Sequence, residues 1–124
     1  MFFDDIKQLP HIASKASCAV FVVPPDTNLN LPTALKLTPA DDKKTNLITV
    51  EQVREFIALS SSKEVRDRYF IINPADAMNE AAQNALLKTL EEPKPFCHFV
   101  LLTEQPSALL PTILSRSQIF SPKI

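Results

Sequence analysis

The sequence predicts an α/β protein, a parallel sheet with helices on both faces and three layers in all. Three observations carry this. Short apolar runs of strand-forming composition stand at residues 18–23, 68–73, 97–103 and 117–120, each too brief for a helix. Stretches with helical signals separate them, and strands that alternate with helices pair in parallel. The unit that displays the pattern best begins at Phe70, Ile71 and Ile72, turns at Asn73, Pro74 and Asp76, and continues as a long helix stopped by Pro93. The order of the strands is left open by the chain.

Taken in order, residues 2–17 carry Phe2 or Phe3, Ile6, Leu9, Ala13 and Ala16 at near-helical spacing, and Pro10 splits them into two short helical pieces. Residues 18–23, ended by Pro24 and Pro25, read as a fully buried strand. An irregular loop fills 24–33, a short strand near a sheet edge fits 34–38, and 39–46 reads as a solvated turn. Thr49 and Gln52 then stand at capping-box spacing, with Ile48 and Val53 placed as a hydrophobic staple. Val50, Val53, Phe56, Ile57 and also Leu59 supply the apolar stripe of that helix, and serines 60–62 end it. Residues 63–68 hold five charges in six positions and read as a solvated loop.

In the next helix Asn79 suits the N-cap and Glu80 the positive first turn. Ala82, Ala85, Leu86, Thr89 and Leu90 share one face, while Asn84, Lys88, Glu91 and Glu92 lie largely outside it. One or two helical turns fit 107–116, with Pro111 at a first-turn position, before the final strand.

Composition excludes several classes of function. At 124 residues the chain makes one domain able to bury its own core. A net charge of -1 and a pI of about 6.1 give no global attraction to nucleic acid, so any such contact needs a local patch. No apolar run approaches the ~20 residues of a membrane span, and the amino end lacks a signal-peptide layout. Cys18 and Cys97 fall in apolar runs and form no C-x-x-C pair, which fits buried thiols in a reducing, cytoplasmic compartment and no zinc site.

Glycine is absent altogether, where average usage of ~7% would give roughly nine. Phosphate-cradling loops need glycine for close backbone approach, so neither common nucleotide-binding fingerprint is present and no cofactor is expected. The two histidines, His11 and His98, have no nucleophile or acid at relay spacing, and His98 reads as structural. The pairs Asp4–Asp5 and Asp41–Asp42 diverge in direction and read as surface residues, not a metal or acid–base site.

Two features stand out against this background. Glu91 and Glu92 occupy the last turn of their helix, against the negative end of its dipole. Either a salt bridge compensates them or they belong to a functional surface. Arg116 follows a short helix and precedes a strand. It either stabilises that helix end or projects from the edge of the domain.

Residues 84–93, Asn-Ala-Leu-Leu-Lys-Thr-Leu-Glu-Glu-Pro, followed by residues 110–117, Leu-Pro-Thr-Ile-Leu-Ser-Arg-Ser, closely resemble the clamp-loader branch of the AAA+ family. The resemblance is strong over 68–120, moderate over 48–59 and weak before that, and it is greatest to the bacterial delta-prime subunits of DNA polymerase III. It implies one reduced AAA+ core over residues 1–124, P-loop-NTPase-like but without the P-loop, and with the lid and collar domains absent. Members that hydrolyse ATP carry Asp-Glu at the end of the Walker B strand, where this chain has Asn73 and Pro74. An amide binds Mg²⁺ less well than a carboxylate, and proline offers no base, so the resemblance implies no ATP hydrolysis in cis. Thr103 falls at the sensor position.

Ser115-Arg116-Ser117 matches the family's Ser-Arg-Cys block, which implies an arginine finger offered by Arg116, with Ser115, to ATP on a neighbouring subunit. The implied partners are other clamp-loader subunits, including the ATPase that receives Arg116, together with the sliding clamp and primer-template DNA. Glu91, Glu92 and Lys88 are interface candidates, and Lys88 or the pair Arg66 and Arg68 could reach the DNA backbone. The alternative is a stand-alone protein-interaction module derived from the AAA+ core, with no part in ATP hydrolysis.

Overall fold

The computed structural model describes residues 1–27, 29, 31, 33–39, 47–61 and 65–122. In chain order they form β1 (Phe2–Phe3), α1 (Leu9–Ser14), β2 (Cys18–Val22), β3 (Ala34–Leu37), α2 (Val50–Ala58), β4 (Arg68–Ile72), α3 (Glu80–Glu91), β5 (Cys97–Thr103), α4 (Pro111–Ser115) and β6 (Gln118–Pro122). The six strands join in one sheet in the order β1-β6-β2-β5-β4-β3. Every neighbouring pair is parallel. The α/β expectation holds, and β3 lies at an edge as its weak alternation suggested.

Side chains alternate across the sheet and divide the core in two. Cys18 and Val20 of β2, Phe70 and Ile72 of β4, and Phe99 and Leu101 of β5 face α2, α3 and α4. Ala19, Phe21, Tyr69, Ile71, Val100 and Leu102 point the other way, against α1 and the loop residues Leu29 and Leu31. Burial on both faces explains why the central strands read as unbroken apolar runs. Phe70 anchors the first face, stacked on Phe99 at 5.2 Å and edge-on to Phe56 at 5.6 Å.

The helix signals translate directly. Thr49 Oγ1 accepts from the Gln52 amide at 3.3 Å, and Gln52 Oε1 accepts from the Thr49 amide at 3.0 Å, which completes the capping box. Ile48 and Val53 are both wholly buried in one cluster. Leu59 is not part of the stripe; it begins a 3₁₀ turn, Leu59–Ser61, and is exposed.

Two further sequence expectations need correction. The chain opens with a strand and not a helical piece: β1 pairs with β6, and Phe3 packs edge-on against Phe21 at 6.5 Å. Burying Phe3 at the sheet edge while Phe2 faces solvent uses the two-residue period of a strand, a signal too short to detect in sequence. Residues Ile6–Gln8 then form a 3₁₀ turn capped by Asp5, and Pro10 occupies the first turn of α1.

The second correction concerns the charged run. Lys63 and Glu64 lie outside the described residues, as do Ser62 and the Asp41–Asp42 pair within most of the 39–46 turn. Arg68, read as solvated, begins β4 and is buried. Its guanidinium donates to Leu59 O at 3.1 Å and Ser60 O at 3.4 Å, lies 3.4 Å from Cys97 Sγ, and sits 5.6 Å above the Phe70 ring. Helix ends leave carbonyls without partners and carry partial negative charge, and a buried arginine meets both needs. Arg68 is therefore a structural cation and not a free DNA contact.

His98 is structural as expected. Its Nδ1 lies 2.7 Å from Ala16 O, its Nε2 lies 2.8 Å from Asp67 Oδ1, and its ring stacks on Tyr69 at 5.0 Å. Both cysteines are free and buried. Among the described residues no helix is long and apolar enough to cross a membrane.

Candidate functional site

In a parallel sheet all strands end on the same side, so β2, β4 and β5 deliver their last residues to one edge. Asn73 and Pro74 follow β4 there, Thr103 closes β5, and Val23 to Thr27 follow β2. Several polar atoms at this edge are bonded to one another. Asn73 Nδ2 donates to Pro25 O at 2.8 Å, tying the end of β4 to the loop after β2. Thr103 is buried, and its hydroxyl donates to Asp76 Oδ1 at 2.6 Å while accepting from the Gln105 amide at 3.0 Å. The Val23 amide bonds Thr103 O at 3.1 Å, and the Thr27 amide bonds Pro24 O at 3.0 Å.

The start of the loop after β2 is therefore tied to the end of β4 through the Pro25 carbonyl. Asn73 Oδ1 is buried without a hydrogen-bond partner. Asp76 is the one carboxylate drawn into this network, and it is engaged by Thr103. Among the described residues no cluster of histidine, cysteine or acid could hold a metal ion.

Helices α3 and α4 start near this edge and run back toward the opposite one. Helix α3 begins with Asn79, whose Oδ1 accepts from the Ala82 amide at 2.8 Å. One turn on is Gln83, which the sequence reading missed. It is buried, donating through Nε2 to Met78 O at 3.1 Å and Ala108 O at 3.4 Å, and accepting from the Leu110 amide at 2.7 Å. Its signal was its phase: Gln83, Leu86 and Leu90 recur at i, i+3 and i+7 on the buried stripe of α3. Gln83→Leu, which keeps the bulk and removes three hydrogen bonds, is expected to lower stability by about 2 kcal/mol, read as a lower urea midpoint.

Leu110 is the residue from which α4 starts, so Gln83 fixes the beginning of that helix. Ile113, wholly buried, fixes its middle. The helix ends with Ser115, whose hydroxyl donates to Thr112 O at 2.9 Å, and with Arg116, whose amide donates to Ile113 O at 3.1 Å. The Arg116 side chain is exposed and makes no hydrogen bond or ion pair among the described residues. Ser117 follows and meets Cys18 at the start of β2, with 3.2 Å between Oγ and Sγ.

The two edges are well separated. Cys18 marks one end of β2, while Val22 at the other end is paired with Thr103. A strand rises about 3.3 Å per residue, so these positions lie about 13 Å apart. Arg116 starts from the far side of the sheet relative to Asn73. Glu91 and Glu92, at the end of α3, are exposed on the same side as Arg116 and make no ion pair among the described residues. The compensating salt bridge is not found. Lys88, one turn earlier, is exposed and lines a groove of about 510 Å³ between α2 and α3, together with Arg54 and Asn84.

The sequence model of the family described as DNA polymerase III, delta subunit, matches residues 7–123. The chain belongs to this clamp-loader family. The DNA polymerase III subunit delta' of Haemophilus influenzae is 35% identical over 86 residues, covering 69% of this chain and 26% of that protein. Its Bacillus subtilis counterpart is 39% identical over 94 residues, covering 76% of this chain and 26% of that protein. A DNA polymerase III gamma subunit-related protein of Thermotoga maritima shares the fold, with a TM-score of 0.71 at 24% identity over 98% of this chain and 46% of that one. The chain spans about a quarter of the length of these delta' relatives.

Proposed function

We propose that this clamp-loader family member is a non-catalytic, delta-prime-like core that acts on ATP held by a neighbouring subunit. Its own nucleotide position is closed. Where an ATP-binding member would present open amides after the first core strand, Asn73 holds the loop at Pro25, and the sensor hydroxyl of Thr103 is spent on Asp76. Asn73 and Pro74 supply neither a strong Mg²⁺ ligand nor a base.

The observation that carries the reading is the position of Arg116, an exposed guanidinium without a partner among the described residues, on the sheet edge opposite this closed site. About 13 Å of strand lies between the two, more than an arginine side chain reaches, which supports a role toward another subunit. Phosphoryl transfer spreads negative charge over the equatorial oxygens of the transferred group. A planar guanidinium that meets them in a neighbour's site stabilises the transition state without bond-making of its own. Ser115 closes the last turn of α4 behind it.

The partner surface extends from Arg116 toward Glu91 and Glu92, whose carboxylates are open to a basic face of the next subunit. The basic groove of Lys88 and Arg54 is the part suited to the phosphate backbone of primer-template DNA within the assembled complex, in the cytoplasm. Residues 1–124 act as one core in this scheme, beside the sliding clamp and the ATPase subunits.

Calorimetric titration of the chain with Mg-ATP is expected to show no binding at micromolar concentrations. Mixing with the cognate ATPase subunits is expected to give a complex by size-exclusion chromatography. Micromolar affinity for ATP, or failure to enter the complex, contradicts the proposal.

A further inference from the structure

Arg116 stands at the end of a helix of only five residues, a length that has no stability of its own in water. Something must fix its last turn, since Gln83 holds only the first. Ser117 is in position to do so. Its hydroxyl donates to Ile113 O at 2.7 Å, inside α4, and lies 3.2 Å from Cys18 Sγ on β2. The Ser117 proton is committed to the Ile113 carbonyl, so Cys18 supplies the proton of the second bond. Burial pushes the Cys18 thiol up to about 11. The thiol therefore keeps its proton at neutral pH and remains a donor.

We infer that Ser117 is a positioning residue: its hydroxyl links Cys18 of β2 to the Ile113 carbonyl of α4 and thereby sets the direction in which Arg116 leaves the domain. The inference rests on the proposed finger role of Arg116 for its consequence, but not for the linkage itself. The chain runs from sheet to thiol to hydroxyl to helix, and each member is at least partly buried. Arg116 lies between two amides that report on it, its own bonded to Ile113 O at 3.1 Å and that of Ser117 bonded to Leu114 O at 3.2 Å. Loss of the hydroxyl frees the last turn of α4 while Gln83 and Ile113 continue to hold the rest.

The test uses two readouts on the same variants. In the free chain, Ser117→Ala is expected to speed amide exchange at Arg116 and Ser117 about fivefold to tenfold, the worth of one hydrogen bond, while exchange in β4 and β5 stays unchanged. Ser117→Thr, which retains the hydroxyl, is expected to restore protection. Cys18→Val, which keeps the bulk and removes the donor, provides the same measurement from the other end of the link. In the complex with the cognate ATPase subunits, Ser117→Ala is expected to lower kcat for ATP by a similar factor with KM unchanged, and to cause no further loss beside Arg116→Ala.

Unchanged exchange in both Ser117→Ala and Cys18→Val overturns the linkage. Faster exchange with unchanged kcat, in a complex where Arg116→Ala does lower kcat, overturns the positioning role. If Arg116→Ala is itself silent while exchange responds, the linkage stands and the finger reading is what fails.

Discussion

Replacing Arg116 by alanine is expected to leave the chain folded and able to join its ATPase partners, while ATP hydrolysis at the adjacent site falls by about 10³-fold, the lower end of the range for arginine fingers. The side chain is exposed and free of hydrogen bonds or ion pairs among the described residues, so its removal creates no cavity and strands no partner. The backbone of α4 is held instead by Gln83, Ile113 and Ser117. A loss of rate with intact assembly and unchanged thermal stability separates a role in the transition state from a role in folding. Arg116→Lys keeps the charge but not the planar fork, and is expected to recover only part of the rate. Steady-state ATPase assays on the purified complexes, with assembly checked by size-exclusion chromatography, provide the comparison.

The largest stability effect is expected at Arg68. Alanine there removes the donors to Leu59 O and Ser60 O and takes the guanidinium away from the face of Phe70. Each buried carbonyl that loses its partner costs roughly 1–3 kcal/mol, so a total near 3 kcal/mol is expected once partial rehydration is allowed for. For a domain of this size that corresponds to a fall of roughly 12 °C in Tm. Lysine reaches with one ammonium where two carbonyls await a fork, and is expected to lie between the two. Thermal denaturation followed by circular dichroism decides; a shift of less than about 3 °C would mean that water replaces the guanidinium at little cost.

What the sequence disclosed and what it withheld divide along the range of the interactions. The short apolar runs of β2, β4 and β5 became strands because their composition fits burial on both faces, and the Thr49 and Asn79 caps formed because a cap needs only residues three apart. Strand β1 escaped notice because two residues contain a single alternation, and its partner β6 lies at the far end of the chain. Arg68 was misread for a similar reason. In sequence it belongs to a charged run, and only the fold brings the open end of α2 within its reach.

The site shows the same division. Arg116, Asn73 and Pro74 were singled out by the family resemblance of the blocks around them, not by spacing alone. Their placement on opposite edges of a parallel sheet, and the closure of the Asn73 edge through Pro25 and Asp76, required three dimensions. Gln83 was partly legible. Its phase on the apolar stripe of α3 was available, but a stripe counted only through apolar residues passes over a buried amide. Ser117 looked like a simple exchange for the family's cysteine, and only the register of β2 beside β6 puts Cys18 next to it.

The proposed function puts the work at Arg116 and not at the Asn73 edge. It is tested most directly by assaying Asn73→Ala and Arg116→Ala side by side, as single-turnover ATP hydrolysis in the same assembled complex. A rate near that of the unaltered complex is expected for Asn73→Ala, and a loss of about 10³-fold for Arg116→Ala. A loss confined to Asn73→Ala, with Arg116→Ala hydrolysing at full rate, would contradict it.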